Sequence, residues 1–246
     1  MGMEAWLAEA LLVSSRSLTE EAEGYLLGRG VSEASIQQLE VGLWEPPEEV
    51  SPIPSFTERY GPKGHKLRDM LVYPLRSPKG TLLGFEGRSM RQKYVTQFKL
   101  PRAMWNPIFV GLPYEMEKIW EGQDIWIGEG IFDKTALEHI VPPEDATLGT
   151  LTAKLSFEQF DFLRRFARGT VNLVWDQDEK GRKATEGYTH EKTGKWVRGA
   201  IERLRSVKVK CRDIPYLCPP GCKDPGDIWE QYGTGGLRRA FSTVII

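Results

Sequence analysis

The chain has 246 residues, 40% hydrophobic and 27% charged, a composition that can bury a substantial core and excludes a disordered or fibrous protein. No apolar run approaches the roughly 18 residues of a membrane-crossing helix, and the N-terminus lacks the pattern of a secretory leader, so the expectation is a soluble cytoplasmic protein with no membrane partner. Lys and Arg number 33 against 34 Asp and Glu, a net charge of -1, which excludes a basic field over the whole molecule. The charge is unevenly spread: Tyr60 to Arg102 holds ten basic residues and two acidic ones, +8 locally.

In chain order, Ser17 precedes "LTEEAEGYLLGRG", whose Leu18, Ala22, Tyr25 and Leu26 recur at helical spacing before Gly28 or Gly30 ends the helix. Ser32 caps a shorter helix carrying Ile36 and Leu39. A Pro-rich link over residues 44–64 breaks regular structure. "MLVYPLR" and "TLLGFEGR", joined by Ser77-Pro78-Lys79-Gly80, predict a hairpin, and irregular sequence extends to about Gly111.

From Gln123 strands and helices alternate. "DIWIGEG" precedes "FDKTALEHI", "ATLG" precedes "SFEQFDFLRRFA", and "TVNLVWDQD" precedes a helix from about Lys180. "VKVKCRDIPY" and two short helices around Asp227 to Tyr232 and Gly236 to Phe241 follow. This alternation predicts a parallel sheet covered by helices on both faces. Trp126 and Trp175, inside strands, are expected in the core. The fold class is α/β, with a mixed α+β part before the parallel sheet. The expected division is residues 1–112, carrying the basic segment, and 113–246, carrying the parallel sheet.

Ligands of open parallel sheets bind beyond the carboxyl ends of the strands. Glu129 follows one such end, and Asp176, 47 residues later, follows another together with Asp178. Converging carboxylates need a cation, and oxygen donors suit Mg²⁺ or Mn²⁺, which also accept substrate phosphates. That chemistry is phosphoryl transfer. Gly128 and Gly130 would let the backbone beside Glu129 approach a bulky ligand. Asp-x-Asp alone is weak evidence, because Asp is common in turns; haloacid-dehalogenase-like phosphatases and glycosyltransferases carry it too. No zinc is expected. Cys211, Cys218 and Cys222 are close in sequence, but a structural site takes four Cys or His in paired short spacings, and His65, His139 and His190 are scattered.

"IWIGEGIFDKTAL", then "TLGTL", then "LVWDQDEKGRKA" resembles the TOPRIM core shared by DnaG-type primases, topoisomerases and some nucleases. Upstream, "YLLGRGVSEASIQQLEVGLW", "DMLVYPLRSPKGTLLGFEGRSM", "KYVTQFKLP" and "IFVGL" resemble the RNA-polymerase domain of bacterial and phage DNA primases, and "KDPGDIWEQYG" resembles the segment that closes it. The likeness spans roughly Leu18 to Phe241.

The resemblance implies a TOPRIM catalytic core that joins ribonucleoside triphosphates into short RNA primers on single-stranded DNA, as a nucleotidyltransferase acting in a bacterial or phage-infected cell. It makes Glu129, Asp176 and Asp178 the catalytic, metal-binding carboxylates, with Asp133, Asp224 and Asp227 as further metal-binding acids. The family often carries an acid where this chain has Gly226, and Asp227 is the substitute. Arg88 and Lys93 match a ridge that binds template and nucleotide, and Arg76 is a third candidate. A separate zinc-binding protein and a replicative helicase are implied partners. Two other readings remain: a metal-dependent TOPRIM nuclease, and a non-catalytic DNA-binding replication module. Residues from Tyr188 to Gly199 look like an insertion in the helix after Asp-x-Asp.

Overall fold

The computed structural model describes residues 8, 11–12, 14–15, 18–44, 70–92 and 95–244. The Pro-rich link from residue 45 onward, and Lys63, Lys66, Arg68 and Lys93, lie outside the described residues. The chain divides into two compact units, one from Met1–Gly28 and Ser32–Trp105, the other from Arg29–Val31 and Asn106–Ile246.

The first unit includes helices α1 (Glu20–Gly28) and α2 (Glu33–Gln38). Ser32 caps α2 as expected, accepting from the Ser35 N–H at 3.1 Å. Strands β1 (Gly42–Leu43), β2 (Met70–Arg76), β3 (Leu82–Ser89) and β4 (Val95–Lys99) form an antiparallel sheet in that order. The predicted hairpin is β2–β3, closed where Gly80, at φ 78°, donates to Ser77 at 2.9 Å. Strand β4 and a 3₁₀ turn (Pro101–Trp105) occupy sequence expected to be irregular. The strand was hidden because it is exposed at the sheet edge: within it only Phe98 is buried, so the period-2 signal is almost absent. Phe98 stacks on Phe85, which stacks on Trp44, with centroids 5.7 and 5.0 Å apart. A Cβ at Gly84 would lie 2.0 Å from the Phe98 carbonyl oxygen, so this close strand crossing requires glycine.

Buried on the same sheet, Glu86 accepts from the Tyr73 hydroxyl and, at 2.6 Å, from Gln97. Burial holds its carboxyl above the usual range, so the two donors offset a desolvation cost.

The second unit contains α3 (Leu112–Glu121), β5 (Ile125–Gly128), α4 (Ile131–Glu138), β6 (Ala146–Gly149), α5 (Phe157–Phe166), β7 (Val171–Leu173) and α6 (Glu179–Glu186). There follow β8 (Gly187–Thr189), β9 (Trp196–Arg198), α7 (Ala200–Ser206), β10 (Cys211–Asp213) and α8 (Pro225–Ala240). Strands β10-β7-β5-β6 form a parallel sheet. Its faces carry separate cores: Ile125, Ile127, Phe162, Leu204 and Trp175 on one, Trp126, Leu137, Ile228 and Phe241 on the other. Burial on both faces explains the short, continuous apolar strands read from the sequence.

Strand β10 is shorter than the expected "VKVKCRDIPY", keeping only the three residues paired with β7. The two expected C-terminal helices run together as α8, interrupted at Gly233 (φ 59°, ψ -162°). The stretch read as an insertion forms a two-stranded hairpin over residues 187–198, between α6, which ends at Gly187 (φ 95°), and α7. Helix α6 starts directly against the Asp-x-Asp loop, where a Cβ on Gly181 would lie 2.0 Å from the Asp176 carbonyl oxygen.

Tyr73→Phe removes a donor from buried Glu86 and should cost about 1–3 kcal/mol in a urea titration. Gly181→Ala must push α6 off the Asp176 carbonyl, and should lower stability by about 2 kcal/mol or more, read as a fall in melting temperature.

Candidate active site

Strands β5 and β7 are adjacent, with Ile127 opposite Leu173, so the residues leaving their carboxyl ends emerge side by side. Glu129 leaves β5, and Asp176 follows β7 after the buried pair Val174-Trp175. Parallel pairing thus brings together acids 47 residues apart in the chain.

The surroundings of Glu129 oppose its ionisation. Burial first, and the nearby Asp176 charge second, push its carboxyl up to about 7, against partial relief from an Asp176 backbone hydrogen bond and the Lys223 charge. Its Oε1 is buried without a hydrogen-bond partner. Asp176 is also raised, by burial, while Lys223 pulls it down.

Lys223 went unremarked in the sequence. Its ammonium pairs with Asp176 Oδ2 and lies 3.0 Å from Asp224 Oδ2. Burial opposes its charge, but these carboxylates outweigh burial and raise its pKa. The backbone fixes this arrangement: the Lys223 carbonyl accepts from the Gln177 N–H at 2.8 Å and from the Tyr216 hydroxyl at 3.1 Å. The Tyr216 hydroxyl also reaches the Trp175 carbonyl at 3.2 Å. A lysine beside an Asp in "KDPGD" was the available signal, but its Asp176 partner is 47 residues away.

The other acids are engaged with backbone. Asp178 caps α6, accepting from the Gly181 N–H at 2.9 Å. Asp224 caps α8, accepting from the Asp227 N–H at 2.6 Å, and Asp227 accepts from the Lys223 N–H at 3.3 Å. Helix N-termini favour such carboxylates. Asp133, buried, accepts through Oδ2 from the Gly130 N–H at 3.0 Å and through Oδ1 from the Gly226 N–H at 3.3 Å. Burial, then the Asp224 and Asp176 charges, raise its pKa well above the usual range.

The space at Gly128 that the sequence suggested for a ligand is filled by Asp133, whose Cβ would be 2.5 Å from a Cβ there. Gly226 is similarly confined, since a Cβ there would lie 3.0 Å from the Phe132 Cβ, so the position cannot take an acid without a shift.

As they stand, no three acidic, His or Cys side chains among the described residues are gathered closely enough to hold an ion. Lys223 supplies the positive charge instead. The donor set nonetheless suits a hard divalent cation: oxygen ligands, nearby carboxylates Glu129 and Asp176 whose ionisation burial opposes and a cation would favour, and an unpartnered buried Glu129 oxygen.

The candidate basic residues belong to the first unit. Arg76 binds Glu40 through two nitrogens, at 2.9 and 2.6 Å, and the Gly80 carbonyl at 3.0 Å, so it secures the β2–β3 turn. Arg88 is half-buried on β3, opposite Leu71 and Val95. Lys79, Arg91 and Lys99 are exposed, and Arg102 is tied to the Leu82 carbonyl at 3.0 Å. Of the tryptophans, Trp126 and Trp175 are buried as expected, while Trp105 and Trp196 are exposed. Cys211 is buried, and Cys218 and Cys222 are partly buried. Among the described residues, no helix is long and apolar enough to cross a membrane.

No family model matches the chain. It is 25% identical to the DNA primase of Deinococcus radiodurans over 239 residues, 89% of this chain and 39% of that protein. It is 28% identical to the DNA primase of Neisseria meningitidis over 231 residues, 86% of this chain and 36% of that one. The chain therefore spans less than half the length of these curated relatives. Among solved structures, the Aquifex aeolicus primase (zinc-binding and RNA polymerase domains) superposes with a TM-score of 0.68 at 22% identity, covering 98% of this chain and 60% of that one. The E. coli primase catalytic core gives 0.69 at 17% identity, covering 98% and 80%. A DnaG catalytic domain bound to single-stranded DNA gives 0.66 at 18%, covering 98% and 80%. The homologues of this chain are DNA primases, and its fold is that of the DnaG catalytic core, a parallel sheet flanked by helices and preceded in the chain by an antiparallel sheet.

Proposed function

We propose that the chain is a primase catalytic core, joining ribonucleoside triphosphates into short RNA primers on a single-stranded DNA template. The observation that carries this reading is the gathering of Glu129, Asp176 and Asp224 around Lys223, beyond the carboxyl ends of adjacent parallel strands. In this reading Glu129, Asp176 and Asp178, joined by Asp224, hold Mg²⁺ or Mn²⁺. Asp133 and Asp227 brace the backbone behind them. A bound ion supplies charge neutralisation for the triphosphate and polarises a phosphoryl oxygen.

The rest of the catalysis is positioning and electrostatics. Glu129 Oε1, unpartnered and titrating near neutrality, is suited to accept the proton of the attacking hydroxyl. Arg88 and Lys93 are assigned to phosphates of template and nucleotide, and Arg76 to holding the β2–β3 turn. The proposed partners are the template, the nucleotides, a zinc-bearing module like the one named in the Aquifex structure, and a replicative helicase. The proposed setting is the cytoplasm of a bacterial or phage-infected cell.

Glu129→Gln should reduce primer synthesis by at least about 10²-fold on single-stranded templates with nucleotides and metal while leaving the melting temperature near wild type. Full activity in that variant would sink the assignment, and template degradation without nucleotides would point to a nuclease.

A carboxyl raised in the folded state contributes stability below its unfolded value, near 4.5, that is lost as pH rises through about 7. In chelator, the melting temperature should therefore fall between pH 5 and pH 8, and Mg²⁺ should restore most of that fall at pH 8. Lys223→Met, which removes the internal cation, should tighten Mn²⁺ binding several-fold, measured by the electron paramagnetic resonance of free Mn²⁺.

A further inference from the structure

Helix α6 links the acidic site to the hairpin. It begins at the cap Asp178 and ends at Gly187, where β8 begins, so at 1.5 Å per residue the hairpin stands about 12 Å from the Asp-x-Asp loop. Residues 180–198 hold six basic side chains, Lys180, Arg182, Lys183, Lys192, Lys195 and Arg198, against Glu186 and Glu191. All but Lys183, which pairs with Glu179 at 2.6 Å, are exposed.

The hairpin is built to present an aromatic ring. Trp196 pairs with Thr189, on the same face as Arg198 and Gly187. Its indole N–H donates to Glu202 at 2.9 Å, and Arg198 meets the same carboxylate at 3.1 Å. The ring edge lies over Gly187, where a Cβ would be 2.8 Å from it. Held in this way, Trp196 remains 55% exposed. On the opposite face, Tyr188 has the Lys154 and Lys183 ammonium groups 5.1 and 5.9 Å from its ring centre. The tip is closed by His190, whose N–H donates to the Lys195 carbonyl and whose carbonyl accepts from Gly194, both at 2.8 Å; it carries Lys192 and Lys195 outward.

We propose that this hairpin is a second contact for single-stranded nucleic acid, with Trp196 stacking on a base and Lys192, Lys195 and Arg182 meeting phosphates. A fixed, half-exposed indole among cations is the pairing that binds single strands with little sequence preference. The inference rests on the primase reading and deepens it, by adding a strand-holding element beside the acidic site that the basic segment before Arg102 does not supply.

The test is fluorescence anisotropy of a labelled oligothymidylate of about 20 nucleotides, longer than one stacking platform covers, with the full chain in chelator so that no chemistry intervenes. Trp196→Ala should weaken binding about tenfold, and Trp196→Phe should recover most of it. Lys192→Ala with Lys195→Ala should lower the slope of log Kd against log salt by about 1. Melting temperatures near wild type show that the variants are folded. Wild-type affinity and salt slope in both the Trp196→Ala and the double lysine variants would overturn the proposal. So would such unchanged binding together with capture of polyglutamate, which would assign the hairpin to an acidic protein partner. Failure of the wild-type chain to bind the oligonucleotide would instead refute template binding itself, and the primase reading with it.

Discussion

Charge neutralisation among crowded carboxylates is the constraint on which this structure depends. Glu129, Asp133, Asp176 and Asp224 are drawn together beyond the carboxyl ends of the central parallel strands, where burial and neighbouring negative charge oppose the ionisation of Glu129, Asp133 and Asp176. Two devices make the cluster tolerable. The Lys223 ammonium lies between Asp176 and Asp224, and backbone N–H groups occupy both oxygens of Asp133. The hydrogen bonds from Gln177 and Tyr216 to the Lys223 carbonyl therefore do more than close a loop, because they keep a positive charge where the acids converge.

The same acids build the fold. Asp178 and Asp224 cap the helices that leave the site, so each carboxylate is stabilised by the N-terminus it caps. Asp133 joins the turn after β5 to the start of α8, Gly128 leaves room for its side chain, and Gly226 leaves room for Phe132. The arrangement of the acids and the placement of the helices are thus the same set of contacts. That economy explains why the glycines here are steric requirements rather than open approaches for a ligand.

Legibility in the sequence followed burial. The alternation from Gln123 onward was readable because strands buried on both faces are short unbroken apolar runs between amphipathic helices. Strand β4 was not, since an edge strand with one buried side chain carries almost no periodic signal. "VKVKCRDIPY" looked like a long strand, yet only Cys211–Asp213 finds a partner on β7. Arg76 read as one more member of a cationic ridge, but Glu40 lies 36 residues earlier, and only the packed first unit reveals their two-point pairing.

The sequence by itself determined the alternating α/β architecture, the acidic residues that mark the site, and the likeness to primase cores. Those depend on local periodicity and on motifs a few residues long. Only the tertiary structure decided how the acids are divided between caps, a buried buckle and an ion pair, and that Trp196 is held half-exposed by Glu202 and Gly187. These depend on distances between residues far apart in the chain, and on burial, which sets whether a carboxylate or an ammonium keeps its charge.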